Sequence, residues 1–197
     1  MSTSEVSAPG KPARHLPGEA GIWLFIFGDM LVFSLFFIVF MYSRGNNLEL
    51  YNSSQAQLSQ FLGALNTFFM LTSSVFVITA IRAARKNMGK VPSYLFIGAW
   101  LCGLGFVINK YFEYGDKIRA GITLNSSGDF FMYYYMFTGI HLMHVFIGMG
   151  VLAWTARYSW SQGFDERKMR NLESAGSFWH VVDLLWIVLF ALLYLVK

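Results

Sequence analysis

Cysteine is almost absent from this chain. Of 197 residues only Cys102 carries a thiol, so no disulfide can form within the chain and no site can be built from several cysteines. Charge is scarce as well. Asp, Glu, Lys and Arg make up 13% of the chain, against roughly 25% in soluble domains. Such a molecule is not built to be wetted all round. Histidine is limited to four residues, His15, His141, His144 and His180, which leaves little material for an imidazole-rich metal centre. What fills the space instead is apolar and aromatic, with 55% hydrophobic residues and 20 phenylalanines.

That apolar material is gathered into five stretches, approximately 21–42, 61–81, 93–111, 130–156 and 174–196. Each is long enough to cross the roughly 30 Å of a bilayer's hydrocarbon core as a helix. The expectation is an all-α, polytopic membrane bundle of five transmembrane helices. Residues 1–16, rich in Ser, Pro, Ala and Gly, read as a flexible cytoplasmic leader, and 17–197 as one membrane domain. With the N-terminus cytoplasmic and the C-terminus outside, ten Lys and Arg residues fall inside and five outside, among them Arg44 and Lys110. That partition fits the positive-inside rule. The net charge of +4 therefore reports topology, and no nucleic-acid binding is read from it.

Against this background the ionisable residues within the spans stand out, because charge at membrane depth is costly and faces protein or water. In the last span Glu173, His180 and Asp183 fall in one sector at about 100° per residue. In the first, Asp29 lies about seven residues in, or roughly 10 Å at 1.5 Å per residue, with Phe25, Val32 and Phe36 on its face. Its surroundings are dry unless another helix supplies polar groups. The fourth span carries His141 and His144 on one side. In the third, Gly98, Cys102, Gly105 and Asn109 form a small-residue face that should seat a neighbouring helix closely. Glu113, one turn further, reads as an acid at headgroup level, and the segment from Arg44 to Gln60 as a polar external loop. Arg82, Arg85 and Lys86 form a basic turn suited to anionic lipid headgroups.

Imidazoles at i and i+3 invite a metal reading, since imidazole suits iron, copper and zinc. Yet a closed site needs further donors, and the Glu-x-x-His pairs of di-iron bundles are missing. A bis-imidazole heme between His144 and His180 is geometrically conceivable. The plainer reading is a hydrogen-bonded structural network, and no metal ligand is assigned.

Three passages resemble the heme-copper oxidase subunit III family. They are Thr138-Gly-Ile-His141-Leu-Met-His144-Val with Gly148, then Phe178-Trp-His-Val-Val-Asp183-Leu-Leu-Trp186 with Glu173 before it, and Gly21-Ile-Trp-Leu-Phe-Ile-Phe-Gly-Asp29 followed by Leu65-Asn-Thr67. The five spans match the short bacterial branch of cytochrome c and quinol oxidase subunits; longer members have seven. Asp29 stands where cytochrome c oxidases usually carry Glu. The Pro17-Gly-Glu entry and the short length are also similar to NorE-type accessory proteins of nitric oxide reduction.

The resemblance implies a multi-pass subunit of a bacterial inner membrane, with no active site, heme or copper of its own. Those cofactors belong to the catalytic partner subunit, while this chain holds phospholipid and supports assembly, proton uptake and stability during electron transfer to oxygen. By the same resemblance Asp29 is the membrane carboxylate, either exchanging a proton or ordering the bundle, and His141, His144, Glu173, His180 and Asp183 form a polar interior. Two rivals remain open: a NorE-like accessory protein, and a self-contained heme or metal oxidoreductase using His141, His144 and His180.

Overall fold

An apolar segment in a bilayer must satisfy every backbone N–H and C=O internally, which a helix does. The computed structural model describes residues 20–123, 128–161 and 163–196, and among them there is no strand. In chain order the helices are α1 (Ala20–Asn46), α2 (Leu48–Gln55), α3 (Gln60–Arg85), α4 (Val91–Arg119), α5 (Asp129–Tyr158) and α6 (Glu166–Phe190). A π-helical turn, Ala191–Leu195, continues α6. Five of the helices are long and apolar enough to cross a membrane. The expected leader, 1–16, lies outside the described residues.

Local signals place the ends. Ser59 caps α3 by accepting from the Leu62 amide, and Asp165 caps α6 by accepting from Lys168 N at 2.9 Å. Between α3 and α4 the chain reverses through Asn87 and Gly89, both at positive φ (51° and 56°). Such a conformation suits Gly and, less well, Asn. Pro92 sits in the first turn of α4, where its missing N–H leaves no helical acceptor unmet.

Helices α3, α4, α5 and α6 pack as a four-sided bundle, each against two of the others. The small-residue face of α4 seats against α3, with Gly98 facing the Phe76 ring, Gly105 facing Phe69, and Asn109 donating to Asn66 Oδ1 (2.8 Å) and Leu62 O (3.0 Å). Gly148 of α5 lies under the Trp179 indole, close enough that a Cβ would stand 2.7 Å from the ring. That approach requires glycine. Trp179, wholly buried, donates to Ser73 Oγ at 2.9 Å, and Trp186 donates to Thr67 Oγ1 at 3.0 Å, so two indoles fasten α6 to α3.

α1 stands outside this square. Its Phe36, Phe37 and Phe40 meet Phe137 of α5 at 5.7–6.1 Å, and its Phe25 meets Phe178 of α6 at 6.1 Å. Leu24, Phe27, Leu31, Leu35 and Ile38 point away from the protein.

Two expectations about the end that holds α2 need correction. The segment between the first two spans is not a plain polar loop. It contains α2, whose Tyr51 is buried against Phe40 and Phe130. Arg44, counted from sequence among the external charges, is not solvated: it is buried and donates to Val196 O (2.7 Å) and Asn52 Oδ1 (3.0 Å). Burial of the Tyr51 ring pushes its phenol above the ordinary value, partly offset by its hydrogen bond with Ser43.

Candidate functional site

Asp29 has a polar neighbour on α5. Asp29 projects from α1 towards α5, where His144 Nε2 lies 3.2 Å from its Oδ1 and both side chains are nearly buried. On the other edge of the imidazole, Nδ1 stands 2.9 Å from the Ile140 carbonyl oxygen. A carbonyl oxygen can only accept, so Nδ1 carries a proton. The Nε2–Oδ1 contact is a close approach of carboxylate and imidazole, with Phe33 set edge-on to the ring at 5.7 Å.

The other residues grouped from sequence do not join this pair. His141 is fully buried, and neither ring nitrogen has a hydrogen-bond partner among the described residues. Its ring sits between Phe106 (5.7 Å) and Trp186 (5.4 Å). His180 turns to α3, where Nδ1 meets Ser74 Oγ at 2.6 Å. Asp183 is buried beside the same serine, with Oδ1 unpartnered. Glu173 is at the basic end, bound to Arg85 at 2.8 Å. The expected single polar interior is therefore four separate places. One lies between α1 and α5, one holds His141 against α4 and α6, one lies between α3 and α6, and one is at the rim. The reason is rotational: neighbouring positions on one helix face different neighbours once four helices surround them.

The same orientation bears on the metal readings. His144 faces α1 and His180 faces α3, so the two imidazoles considered for heme look towards different helices. Among the described residues no three His, Cys, Asp or Glu side chains are gathered as a metal site would need. Of the basic turn, Arg85 is engaged by Glu173, while Arg82 and Lys86 show no ion pair among the described residues.

One constellation escaped the sequence reading. Lys110 and Glu113, taken from sequence as an external charge and a headgroup-level acid, are 1% and 2% exposed and bonded at 2.9 Å. Lys110 Nζ also donates to Tyr194 OH (3.0 Å) and Tyr134 OH (3.3 Å), and Tyr194 OH donates to Glu113 Oε1 at 2.5 Å. The ammonium lies 5.0 Å from the ring centres of Trp186 and Tyr134. α4 runs two turns past the apolar stretch read from sequence, so the acid meets its neighbours and not water. The available signal was the i, i+3 spacing of Lys110 and Glu113, a helical neighbour pair of opposite charge.

Residues 16–197 match the family model for cytochrome c oxidase subunit III. The chain is 29% identical over 196 residues to a cytochrome c oxidase subunit 3 of Alkalihalophilus pseudofirmus, covering 95% of this chain and 92% of that one. It is 27% identical over 180 residues to a cytochrome bo(3) ubiquinol oxidase subunit 3 of Buchnera aphidicola, covering 89% and 84%. A heme-copper oxidase subunit I+III of Aeropyrum pernix matches 90% of this chain with 22% of its own length, at 22% identity. Five long apolar helices in the expected order and a match over nearly the whole length lead to one conclusion: the chain belongs to the cytochrome c oxidase subunit III family.

Proposed function

We propose that this chain is a non-redox accessory subunit of a respiratory heme-copper terminal oxidase in a bacterial inner membrane. It packs on the catalytic subunit, which holds the heme and copper, and supports that subunit's assembly, proton uptake and stability while electrons pass to oxygen. The name of one relative joins subunits I and III, which supports a position beside the catalytic subunit. Arg82 and Lys86 at the basic turn meet lipid headgroups, and the topology follows the positive-inside rule, N-terminus in.

The observation that carries the reading is the Asp29–His144 pair, 3.2 Å apart inside an interface otherwise made of aromatic rings. A carboxylate and an imidazole sharing one proton can release it to an acceptor and regain it without changing the charge of the rest of the bundle. α1 alone brings the carboxylate, and it is the helix least enclosed by the others. The pair is accordingly placed to exchange with a neighbouring chain or with water at its edge. His141, Asp183 and His180 order the bundle in this reading.

The test has two parts. Purification of the tagged chain in mild detergent should bring an oxygen-reducing catalytic subunit with it; recovery of an NO-reducing one would favour the NorE-like reading. Asp29→Asn should then assemble normally but slow proton uptake or shorten the lifetime of the oxidase during turnover. Wild-type kinetics and lifetime in Asp29→Asn would confine the pair to a structural role.

A further inference from the structure

Inside the four-helix square His141 is wholly enclosed, and neither ring nitrogen meets a hydrogen-bond partner among the described residues. An imidazole always has two such positions to fill. The neutral ring donates from one nitrogen and accepts at the other, and the charged ring donates from both. A buried polar atom left unmet weakens folding by roughly one to two powers of ten. Native interiors therefore rarely leave two on one side chain.

The donors that share its surroundings are already committed. Trp186, whose ring lies 5.4 Å from the imidazole, gives its N–H to Thr67. Thr138, one turn away on the same face of α5, gives its proton to Tyr134 O at 2.5 Å. Lys110 stands against the same indole, with Nζ 5.0 Å from the ring centre, and its three N–H bonds go to Glu113, Tyr194 and Tyr134. Phe106, 5.7 Å from the imidazole, has no polar atom to offer. A donor turned towards His141 would be taken from one of these bonds. Oxygen acceptors do remain, because the Glu113 carboxylate receives Lys110 and Tyr194 and still has lone pairs to spare.

We propose that His141 holds an ordered internal water, which joins its ring to the oxygens of the Lys110–Glu113–Tyr134 cluster. Water both donates and accepts, and a buried water makes about three hydrogen bonds to groups that the protein leaves unmet. A metal ion would need further ligands, and among the described residues no three His, Cys, Asp or Glu side chains are gathered to supply them. An apolar guest would leave both nitrogens as they are. The water makes His141 a member of the cluster and ties α5 to α4 within the bundle. The inference rests on the packing of this chain alone and holds whichever oxidase it serves.

Electron cryo-microscopy of the native assembly, at a resolution that shows ordered waters, tests it. The expected result is density for a water about 2.7–3.2 Å from a His141 nitrogen. Bare nitrogens, or a ring turned onto a protein carbonyl or hydroxyl, overturn the proposal. Unfolding of the full-length chain in detergent gives a second readout. His141→Leu roughly keeps the volume but cannot hold the water. The equilibrium should shift about three- to tenfold towards the unfolded chain, the share of one buried hydrogen bond. In the Lys110→Met, Glu113→Gln background, which lacks the far side of the bridge, the same substitution should cost less than about twofold. A bare ring predicts the opposite sign: leucine would remove two unmet polar atoms and stabilise the chain equally in both backgrounds. That outcome overturns the proposal as well.

Discussion

Replacing Lys110 by Met is the sharpest test of the buried cluster. Methionine nearly matches the length of the lysine stem but removes the ammonium that bonds Glu113 at 2.9 Å and Tyr194 and Tyr134 at 3.0 and 3.3 Å. Glu113, 2% exposed, would keep only the Tyr194 hydroxyl, 2.5 Å away. Breaking a buried pair by removing one partner costs about 3–5 kcal/mol, because a charge is left without compensation. The unfolding equilibrium should then shift by two to three and a half powers of ten, at about 1.4 kcal/mol per tenfold. Lys110→Met with Glu113→Gln removes the stranded charge, so most of the loss should return. A remaining deficit of about 1 kcal/mol reflects the neutral hydrogen bonds. Glu113→Gln alone strands the ammonium in the same way, so the double mutant should lose far less than the sum of the two single losses. Thiol labelling of Cys102 during denaturant unfolding in detergent reads this directly, since it is the only cysteine and lies within α4. A single mutant as stable as wild type, or a double mutant no better than the single, would refute the argument that the charge is buried and mutually compensated.

Four other substitutions probe the packing and the charges. Gly148→Ala would drive a methyl to 2.7 Å from the buried Trp179 ring and should cost about 1–3 kcal/mol. Gly139→Ala, with nothing within 4 Å, should be neutral or slightly stabilising; the same unfolding assay compares them. Arg85→Ala should change stability by less than about 1 kcal/mol, because that guanidinium is 60% exposed; a larger loss in a chemical denaturation series would show the rim contact to be structural. For Tyr51 the raised phenol pKa gives stability that is present below the ordinary value of 10.0 and lost above it, as the unfolded chain ionises first. Tyr51→Phe should therefore gain on wild type as pH rises past that point, and two parallel stability–pH curves would contradict it.

The helices were legible because hydropathy is a local property. Each apolar run reports its own partition into hydrocarbon, whatever the rest of the chain does. The small-residue face of α4 was legible for the same reason, since Gly98, Gly105 and Asn109 recur at helical spacing and meet α3 as that spacing implies. Asp29 could be singled out by its cost in the membrane, but its partner could not. Sequence offered three imidazoles within the spans and no means of choosing among them. Lys110 and Glu113 were misplaced because they lie at the edge of an apolar run, where hydropathy cannot separate a solvated charge from one enclosed by Tyr134 and Tyr194.

The amino-acid sequence by itself determined five membrane-length helices, the family and the residues whose burial needs a reason. Only the tertiary structure decided which of those residues meet. His144 closes on Asp29, His180 on Ser74, Glu173 on Arg85 and Lys110 on Glu113. The physical reason is that a partner within hydrogen-bond reach depends on the rotation and stagger of two helices about their own axes. Side-chain packing fixes those quantities across the whole bundle, and no single span encodes them.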